Sequence, residues 1–470
     1  MESPLLVLKA PPTAPSTSHA SGCTVSRHFD SHDMNQFNRR DFVKASAAVS
    51  SFFVLPSGLL ANSPNGRVCT AHIGTGGKGR VDTGELVKHE HVQPVGFCDV
   101  DTARGMADSW LSKHKSAKFF KDYREMLTTL GDKVDVVSIS TPDHTHYPAT
   151  MAAMRLGKHV FTQKPLTHKL AEARELAAFA AEKKLTTQMG IQNQSRAPYR
   201  FTRHHIKAGI IGKIKKVYVW SFKNWGYDGK PYAEESPIPE TLDWNLWLGT
   251  APKRHFTSKV YHPGQWRKIL DYGCGTLGDM GIHIFDTPFK SLDLTDPLWV
   301  EAECRAPNGF GHAEQNKVHY GFKPTKYTTK DFTFTWWDGE GAPRHNGNPD
   351  LILPNGDKLP RQGALYVGEG GRMVLPHCNT PTFYPNSVLD GVDKKAFQNV
   401  NHYTQFLDAI EGKDKTLAGF DYAGPLAESL CLGVVACQFP GKRLEWDAKK
   451  MRVTNLAQAN PLLEGKYRKF

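Results

Sequence analysis

An apolar run, RVCTAHI at residues 67–73, passes straight into Gly74-Thr75-Gly76-Gly77-Lys78-Gly79. The spacing is G-x-G-x-x-G directly after a buried-strand pattern, and it restricts the fold more than any other feature of the chain. A strand has to end at Gly74, turn within a few residues and start a helix. The first glycine permits that turn, the second lets backbone come close to a pyrophosphate, and the third permits close helix–strand packing. The bare N–H groups at the helix start then face the phosphates. Gly74, Thr75, Gly76, Gly77 and Gly79 are therefore the candidate cradle of a dinucleotide.

The text that follows keeps to this pattern. Residues 80–89 read as a helix and 92–98 (VQPVGFC) as a second strand ending at Asp99. Asp99 stands twenty residues beyond Gly79, where a carboxylate accepts hydrogen bonds from an adenosine ribose. An acid there repels a 2′-phosphate, so NAD is favoured; Arg104 softens the preference and leaves NADP as the alternative. Asp99 is also a candidate N-cap for a helix over 101–113. Helices at 122–130, 147–157 and 168–184 alternate with strands at 134–139, 159–162 and 186–190. Such alternation predicts a parallel, doubly wound sheet with ligands beyond the carboxyl ends of its strands. Two of those ends carry unusual chemistry: STPDHTH at residues 140–146, and Gln163-Lys164-Pro165.

Composition removes several other classes. The 470 residues suffice for two or three domains. The formal net charge is +12, but the lysines fall in short clusters such as Lys213, Lys215 and Lys216. No basic helix or zinc-finger spacing accompanies them, so they read as solvated surface and no nucleic-acid partner is expected. The cysteines Cys23, Cys69, Cys98, Cys274, Cys304, Cys378, Cys431 and Cys437 form no C-x-x-C pair, and no metal is expected. Disulfides are allowed but not required.

Ahead of the glycine motif, Asn38-Arg39-Arg40-Asp41-Phe42-Val43-Lys44 precedes the mildly apolar stretch 45–60. Two arginines, a hydrophobic pair and a lysine before a short apolar run resemble a twin-arginine signal. The stretch is too short for a membrane span and carries Pro56. It predicts export of a folded protein to the periplasm, with its cofactor already collected and no stable membrane anchor after signal removal. The expected organisation is an extension and signal over 1–66, a dinucleotide-binding domain over 67–190, and a second α/β domain over 191–470.

Taken in order, GTGGKG, CDVD, STPDHTH, KHVFTQKPLTH and the glycine-rich GCGTLGDMGIHIFD of residues 273–286 resemble the Gfo/Idh/MocA family, that of glucose–fructose oxidoreductase and inositol dehydrogenase. The match covers roughly residues 67–290. The stretches WNLWLGTAP and YHPGQWRKILDYGCG look like a twin-arginine-exported branch of it. The resemblance implies a Rossmann domain followed by an α/β domain with a large, mainly antiparallel open sheet that commonly forms subunit interfaces, hence a homodimer or homotetramer. It also implies NAD(P)-dependent oxidation or reduction of a carbohydrate or cyclitol carbon. In the family a lysine of an E-K-P motif reaches the reacting hydroxyl and the nicotinamide ribose; here it is Lys164, before a bond expected to be cis. The preceding acid is Gln163, which removes a charge that would favour the protonated lysine.

Asp279 and His283 are four residues apart, and so share one face if the segment is helical. On spacing alone that is an ordinary polar face; beside the resemblance it becomes a candidate catalytic pair. His283 would take the hydroxyl proton, since imidazole titrates near neutrality. Asp279 would orient the ring or bind a neighbouring hydroxyl, and Lys164 would polarise the reacting oxygen. Ser140, Thr141, Pro142 and His146 are expected around the cofactor together with Gln163 and Gln192. Asn193 and Arg196 are expected at the substrate, with Trp266 and Arg267 as a sugar platform and hydrogen-bonding fork. The leading reading is a sugar, polyol or cyclitol oxidoreductase. Its rivals are a redox-neutral glycoside hydrolase that uses NAD transiently and a non-catalytic carbohydrate-binding protein. Strands are further predicted at 214–223, 298–306, 315–322 and 331–338, helices at about 400–411 and 421–437, and a long loop at 339–362.

Overall fold

Six short apolar strands lie side by side and point the same way in the computed structural model, which describes residues 66–344 and 347–470. They are β1 (Val68–Ile73), β2 (Val92–Cys98), β3 (Lys118–Phe120), β4 (Val136–Ile139), β5 (His159–Gln163) and β6 (Thr187–Gly190). Their order is β3-β2-β1-β4-β5-β6, with every pairing parallel. This is the doubly wound arrangement that the strand–helix alternation predicts. The twin-arginine pattern lies outside the described residues.

Helices α1 (Lys78–Leu86), α2 (Ala107–Lys113), α3 (Tyr123–Leu130), α4 (Asp143–Arg155) and α5 (Leu170–Lys183) connect the strands. Helix α4 starts four residues before the predicted position. Pro142 is held extended as its N-cap and Asp143 opens its first turn, so the STPDHTH motif is helical from Asp143 onward. Helix α2 starts six residues later than expected, because Asp99 and Asp101 spend their carboxylates on the turn before it.

After α6 (Ala197–Lys207) comes β7 (Ile214–Ser221), the first strand of a second sheet. Its partners are β8 (Pro297–Glu303), β9 (Lys317–Phe322), β10 (Thr328–Asp338), β11 (Gln362–Gly368), β12 (Arg372–Pro376), β13 (Thr382–Tyr384), β14 (Leu444–Asp447) and β15 (Arg452–Val453). Among the described residues the order is β13-β12-β11-β7-β10-β9-β8-β14-β15. Only β7 and β10 pair in parallel, so the sheet is mainly antiparallel, as the resemblance implies. Ala342, Leu351 and Leu353 of the expected long loop cluster with Tyr218, Trp220, Trp337 and Leu365 of the sheet. The insertion therefore covers part of this sheet with the chain's own side chains.

The split expected at 190/191 separates the sheets but not their cores. Helices α7 (Trp244–Leu248), α8 (Ile282–Ser291), α9 (His402–Ile410) and α10 (Phe420–Ala436) complete the second half. Tyr403, Phe406 and Leu407 of α9 cluster with Val68, Val92, Val136 and Phe161 of the first sheet. Fully burying a side chain such as Phe406 or Leu407 contributes about 1.5–3 kcal/mol. Helix α10 packs along α5, and Arg124 of α3 donates to the Phe470 carbonyl at 2.6 Å.

Between β7 and α8 runs an arm of irregular chain carrying the short helix α7 (Trp244–Leu248). Its aromatic core joins Trp244, Trp247, Phe256, Tyr261, Trp266 and Tyr272. The arm reaches back to the β2–α2 loop. Asp101 bridges to Leu242, accepts from Thr241 Oγ1 at 3.0 Å and meets His262 Nε2 at 3.0 Å. Asp243 N donates to the Val100 carbonyl at 2.8 Å.

Candidate functional site

The glycine turn closes by contact with its own neighbours. Gly74 has φ +78°, and a Cβ on it would lie 2.7 Å from the Ser140 carbonyl oxygen. On Gly79 a Cβ would sit 1.7 Å from the Gly74 oxygen, and on Gly76 one would sit 2.6 Å from the Arg104 oxygen. The second glycine thus admits the β2–α2 loop. Asp99 Oδ2 accepts from the N–H groups of Thr75 and Gly76, both at 3.0 Å, and Thr75 Oγ1 donates to the Gly105 carbonyl at 2.8 Å. Burial pushes the Asp99 carboxyl up to about 6, against the lowering effect of those N–H groups. Asp99 holds the cradle in shape; its Oδ2 is filled by those two N–H groups, while Oδ1, which accepts from Asp101 N at 3.0 Å, keeps one lone pair for a further donor. The Arg104 side chain is exposed.

Beside the cradle stands a carboxylate that motif reading did not single out. Asp82 of α1 is fully buried. Its Oδ2 accepts from Ser140 Oγ and Gln163 Nε2, both at 2.9 Å, and its Oδ1 from Tyr403 OH at 2.6 Å and from the Lys78 ammonium. Gln192 Nε2 donates to the same tyrosine hydroxyl at 3.1 Å. Asp82 therefore ties the expected cofactor residues Ser140, Gln163 and Gln192 to the helix that begins at the glycines. Thr141 lies against Gly74, its Cγ2 3.0 Å from where a Cβ would stand, and Pro142 caps α4. His146 is buried, with one ring nitrogen 2.7 Å from the Pro165 carbonyl and the other 2.8 Å from that of Thr141. It reaches the cofactor region only through the two loops it braces.

The Lys164–Pro165 bond is cis. Lys164 Nζ donates to Asp279 Oδ1 at 2.6 Å and to the Asp279 main-chain oxygen at 2.9 Å, and Arg267 Nε donates to the same Oδ1 at 3.0 Å. Burial opposes ionisation of Asp279, but Lys164 and Arg267 outweigh it and hold the carboxyl well below the usual carboxylate range. Burial also raises Asp143 to about 7, in spite of Arg267 and Lys164.

The expected Asp279–His283 pair is not hydrogen-bonded. Residues 277–281 form a π-helical turn ahead of α8, one residue wider than an α-turn, and the carboxylate of Asp279 is turned to the two cations. His283 Nδ1 is enclosed without a partner. Burial and then Lys164 and His377 hold this imidazole well below its ordinary value, so it is neutral. The ring of His377 lies 5.5 Å from it.

His377 was not anticipated. It follows β12, and its Nδ1 lies 3.2 Å from the hydroxyl of buried Tyr199. Burial, then Lys223, Lys164 and Arg196, bring it down to about 4. Asn193, an expected substrate residue, lies with its side chain against Cys378 Sγ at 3.3 Å. Arg196 is exposed at the start of α6. Trp266 is 5% exposed and lies within the arm's aromatic core. The guanidinium of Arg267 covers its ring at 4.2 Å, so Trp266 supports Arg267 rather than offering an open face to a sugar. Trp220 and Trp244 are buried core residues, whereas Trp225 is half-buried beside Arg267.

The glycine turn, the buried carboxylate after β2 and the cis-proline lysine all stand at strand ends of a Rossmann-type sheet, with Asp279 and Arg267 of the second half of the chain against the lysine. The chain belongs to the Gfo/Idh/MocA family of oxidoreductases: residues 69–191 match its NAD-binding Rossmann fold and 198–342 its C-terminal alpha/beta domain. Among similar proteins, scyllo-inositol 2-dehydrogenase (NAD(+)) of Bacillus subtilis is 31% identical over 116 residues, 25% of this chain and 33% of that protein. A glycosyl hydrolase family 109 protein of Solibacter usitatus is 31% identical over 162 residues, 30% of this chain and 36% of that protein. Matches to such relatives span from 24% to 51% of their length. The crystal structure of the WlbA dehydrogenase from Chromobacterium violaceum, in complex with NADH and UDP-GlcNAcA, shares the fold. It has a TM-score of 0.57 at 15% identity, over 84% of this chain and 99% of that one. Among the described residues no helix is long and apolar enough to cross a membrane.

Proposed function

We propose that this protein is an NAD-dependent dehydrogenase or reductase acting on a carbinol carbon of a sugar, polyol or cyclitol. The carrying observation is the convergence of Lys164, Asp279, Arg267 and His283 at the mouth of the Rossmann sheet. The glycine cradle fits NAD because Gly74 and Gly79 let strand, turn and helix close up where a Cβ would strike the Ser140 or Gly74 oxygen, so that the helix start faces a pyrophosphate, and Asp99 favours a ribose without a 2′-phosphate. NAD, when bound, supplies the hydride acceptor, or in its reduced form the donor. Lys164 has three N–H groups, of which two are used on Asp279, so one is left for a substrate oxygen. That oxygen's developing negative charge would be stabilised by the ammonium. His283, held neutral, would accept the hydroxyl proton at a ring nitrogen and return it in the reverse direction.

The arm over Val100–Asp101 supports retention of the cofactor, which suits an enzyme exported folded through the twin-arginine pathway. The protein purified without added cofactor should release NAD on denaturation. With NAD supplied, a panel of sugars, polyols and inositols should give reduced nicotinamide, and Lys164→Ala or His283→Ala should abolish it. Unchanged turnover in either variant would remove the assignment.

A further inference from the structure

The substrate side of the site holds more positive charge than its own residues neutralise. Lys164 and Arg267 share Asp279. Two further cations, Lys223 and Arg196, have no ion-pair partner among the described residues. Lys223 lies beside His377 by strand register, and Arg196 by the helix it opens. Ser221 at the end of β7 pairs with Gln362 of β11, and the next strand pairs Pro376 with Gly363. His377 N donates to the Gln362 carbonyl at 3.0 Å. Lys223 and His377 thus leave the same sheet end, two strands or about 10 Å apart. Trp225 N, two residues beyond Lys223, donates to Thr276 Oγ1 at 2.7 Å, which holds this stretch against the glycine-rich segment before Asp279. Arg196 opens the helix that carries Tyr199, and Asn193 just before it touches Cys378.

The third member of the group is His377. Tyr199 OH accepts from Cys378 N–H at 2.9 Å, and its own proton is free to be given to His377 Nδ1 at 3.2 Å. In that arrangement the proton of the neutral ring is on Nε2, as a donor. Lys223, Arg196 and His377 Nε2 offer donors only, while enclosed His283 Nδ1 stands without a partner next to them. A neutral sugar presents hydroxyls that both donate and accept; a donor-only set matches a group that only accepts. The charge of Lys223 acts on both imidazoles. Of the carboxyls around this group, Asp279 is already shared by two cations, Asp143 is kept partly protonated at neutral pH by burial, and Asp286, which acts on Tyr199, is held by Gln194 and Tyr422.

We infer that the substrate is an anionic sugar, a uronate or a sulfate or phosphate ester, whose charged group is bound by Lys223, Arg196 and His377. The inference rests on the carbohydrate oxidoreductase reading and names its substrate class. The test uses the NAD-loaded protein with D-glucuronate, D-glucose 6-sulfate, D-glucose 6-phosphate and D-glucose. Binding is followed by tryptophan fluorescence and turnover by nicotinamide reduction. At least one anionic member should bind and react better than glucose, which of them identifying the charged group, and its KM should rise with salt. Lys223→Met should lower the anionic-to-neutral ratio of kcat/KM by about 10- to 100-fold, and Lys223→Arg should restore most of it. Saturable binding of an anionic sugar without nicotinamide reduction would keep this inference and remove the oxidoreductase reading. Reduction with glucose equal to or better than with every anionic member would overturn the inference and keep that reading. No saturable binding of any anionic member, or a ratio unmoved in Lys223→Met, would also overturn it.

Discussion

Replacing Asp279 by asparagine isolates the contribution of a single charge, because Asp279→Asn keeps the side chain's shape and one of its acceptor oxygens. In the wild type that carboxylate takes Lys164 Nζ at 2.6 Å and Arg267 Nε at 3.0 Å, with side-chain exposures of 10% for Asp279, 14% for Lys164 and 26% for Arg267. Enclosure at this level is closer to the buried regime, where breaking a pair costs about 3–5 kcal/mol, than to the surface regime of about 0–1 kcal/mol. The amide still accepts one hydrogen bond, so the expected loss is at the lower end, about 3 kcal/mol. Lys164 and Arg267 would then repel each other, and displacement of the lysine should lower kcat/KM by about 100-fold. The pH dependence has a definite sign. Burial opposes ionisation of Asp279, yet the two cations hold its folded value well below the unfolded one. Its contribution is therefore complete above an unfolded pKa of about 4 and is lost as pH falls through the lower folded value. Urea unfolding followed by tryptophan fluorescence should show a constant gap between wild type and variant from about pH 8 to about pH 5, closing only below about pH 4. Equal stability at neutral pH, or a gap that widens on acidification, would refute the reasoning.

Three further outcomes are expected. His144, His146, His312, His377 and His402 are each brought down to about 4 by burial, so the unfolded chain binds protons first and stability should fall as pH drops from about 6.5 towards about 4. Asp99, Asp143 and Asp338, raised by burial, act in the opposite sense but are fewer; a urea midpoint that rises over this window would contradict the balance. Gly79→Ala places a Cβ 1.7 Å from the Gly74 oxygen and should eliminate NAD binding measured by fluorescence quenching. Gly77→Ala meets open space and strains only a φ of +52°, at about 1–3 kcal/mol, so it should weaken binding less. His262→Leu removes the arm's bond to Asp101 and should speed NAD dissociation, read by stopped flow, by about fivefold, as a lost hydrogen bond of about 1 kcal/mol implies.

The legible part of the fold is the part in which chemistry is local. The six-residue spacing of the glycines, the apolar runs of the parallel strands and the acid after β2 each constrain their own neighbourhood, and all occupy the expected places. β3, with the three residues Lys118–Phe120, is too short to carry a period. The later strands β11 to β15 mix polar and apolar residues and were not anticipated, so His377 could not be placed: its position depends on the β12–β11–β7 register. Asp82 had one local signal, an i,i+4 lysine in the first helix, but its role depends on Tyr403, which is 321 residues away in sequence. The π-turn at Leu277–Gly281 is equally hidden, since an i,i+4 spacing reads as an α-face until the turn widens.

Gln163 connects Asp82 and the π-turn through the lysine beside it. Losing the acid before the lysine left the charge of Lys164 without an evident support. In the fold Gln163 gives its amide N–H to Asp82, while Lys164 takes its counter-ion from Asp279 in the other half of the chain. Two carboxylates thus flank the Gln163–Lys164 pair, Asp82 from α1 and Asp279 from the π-turn. The ion pair that holds Lys164 joins the end of the first sheet to the π-turn of the second half of the chain, and Asp279 is the residue through which the two halves meet at the site.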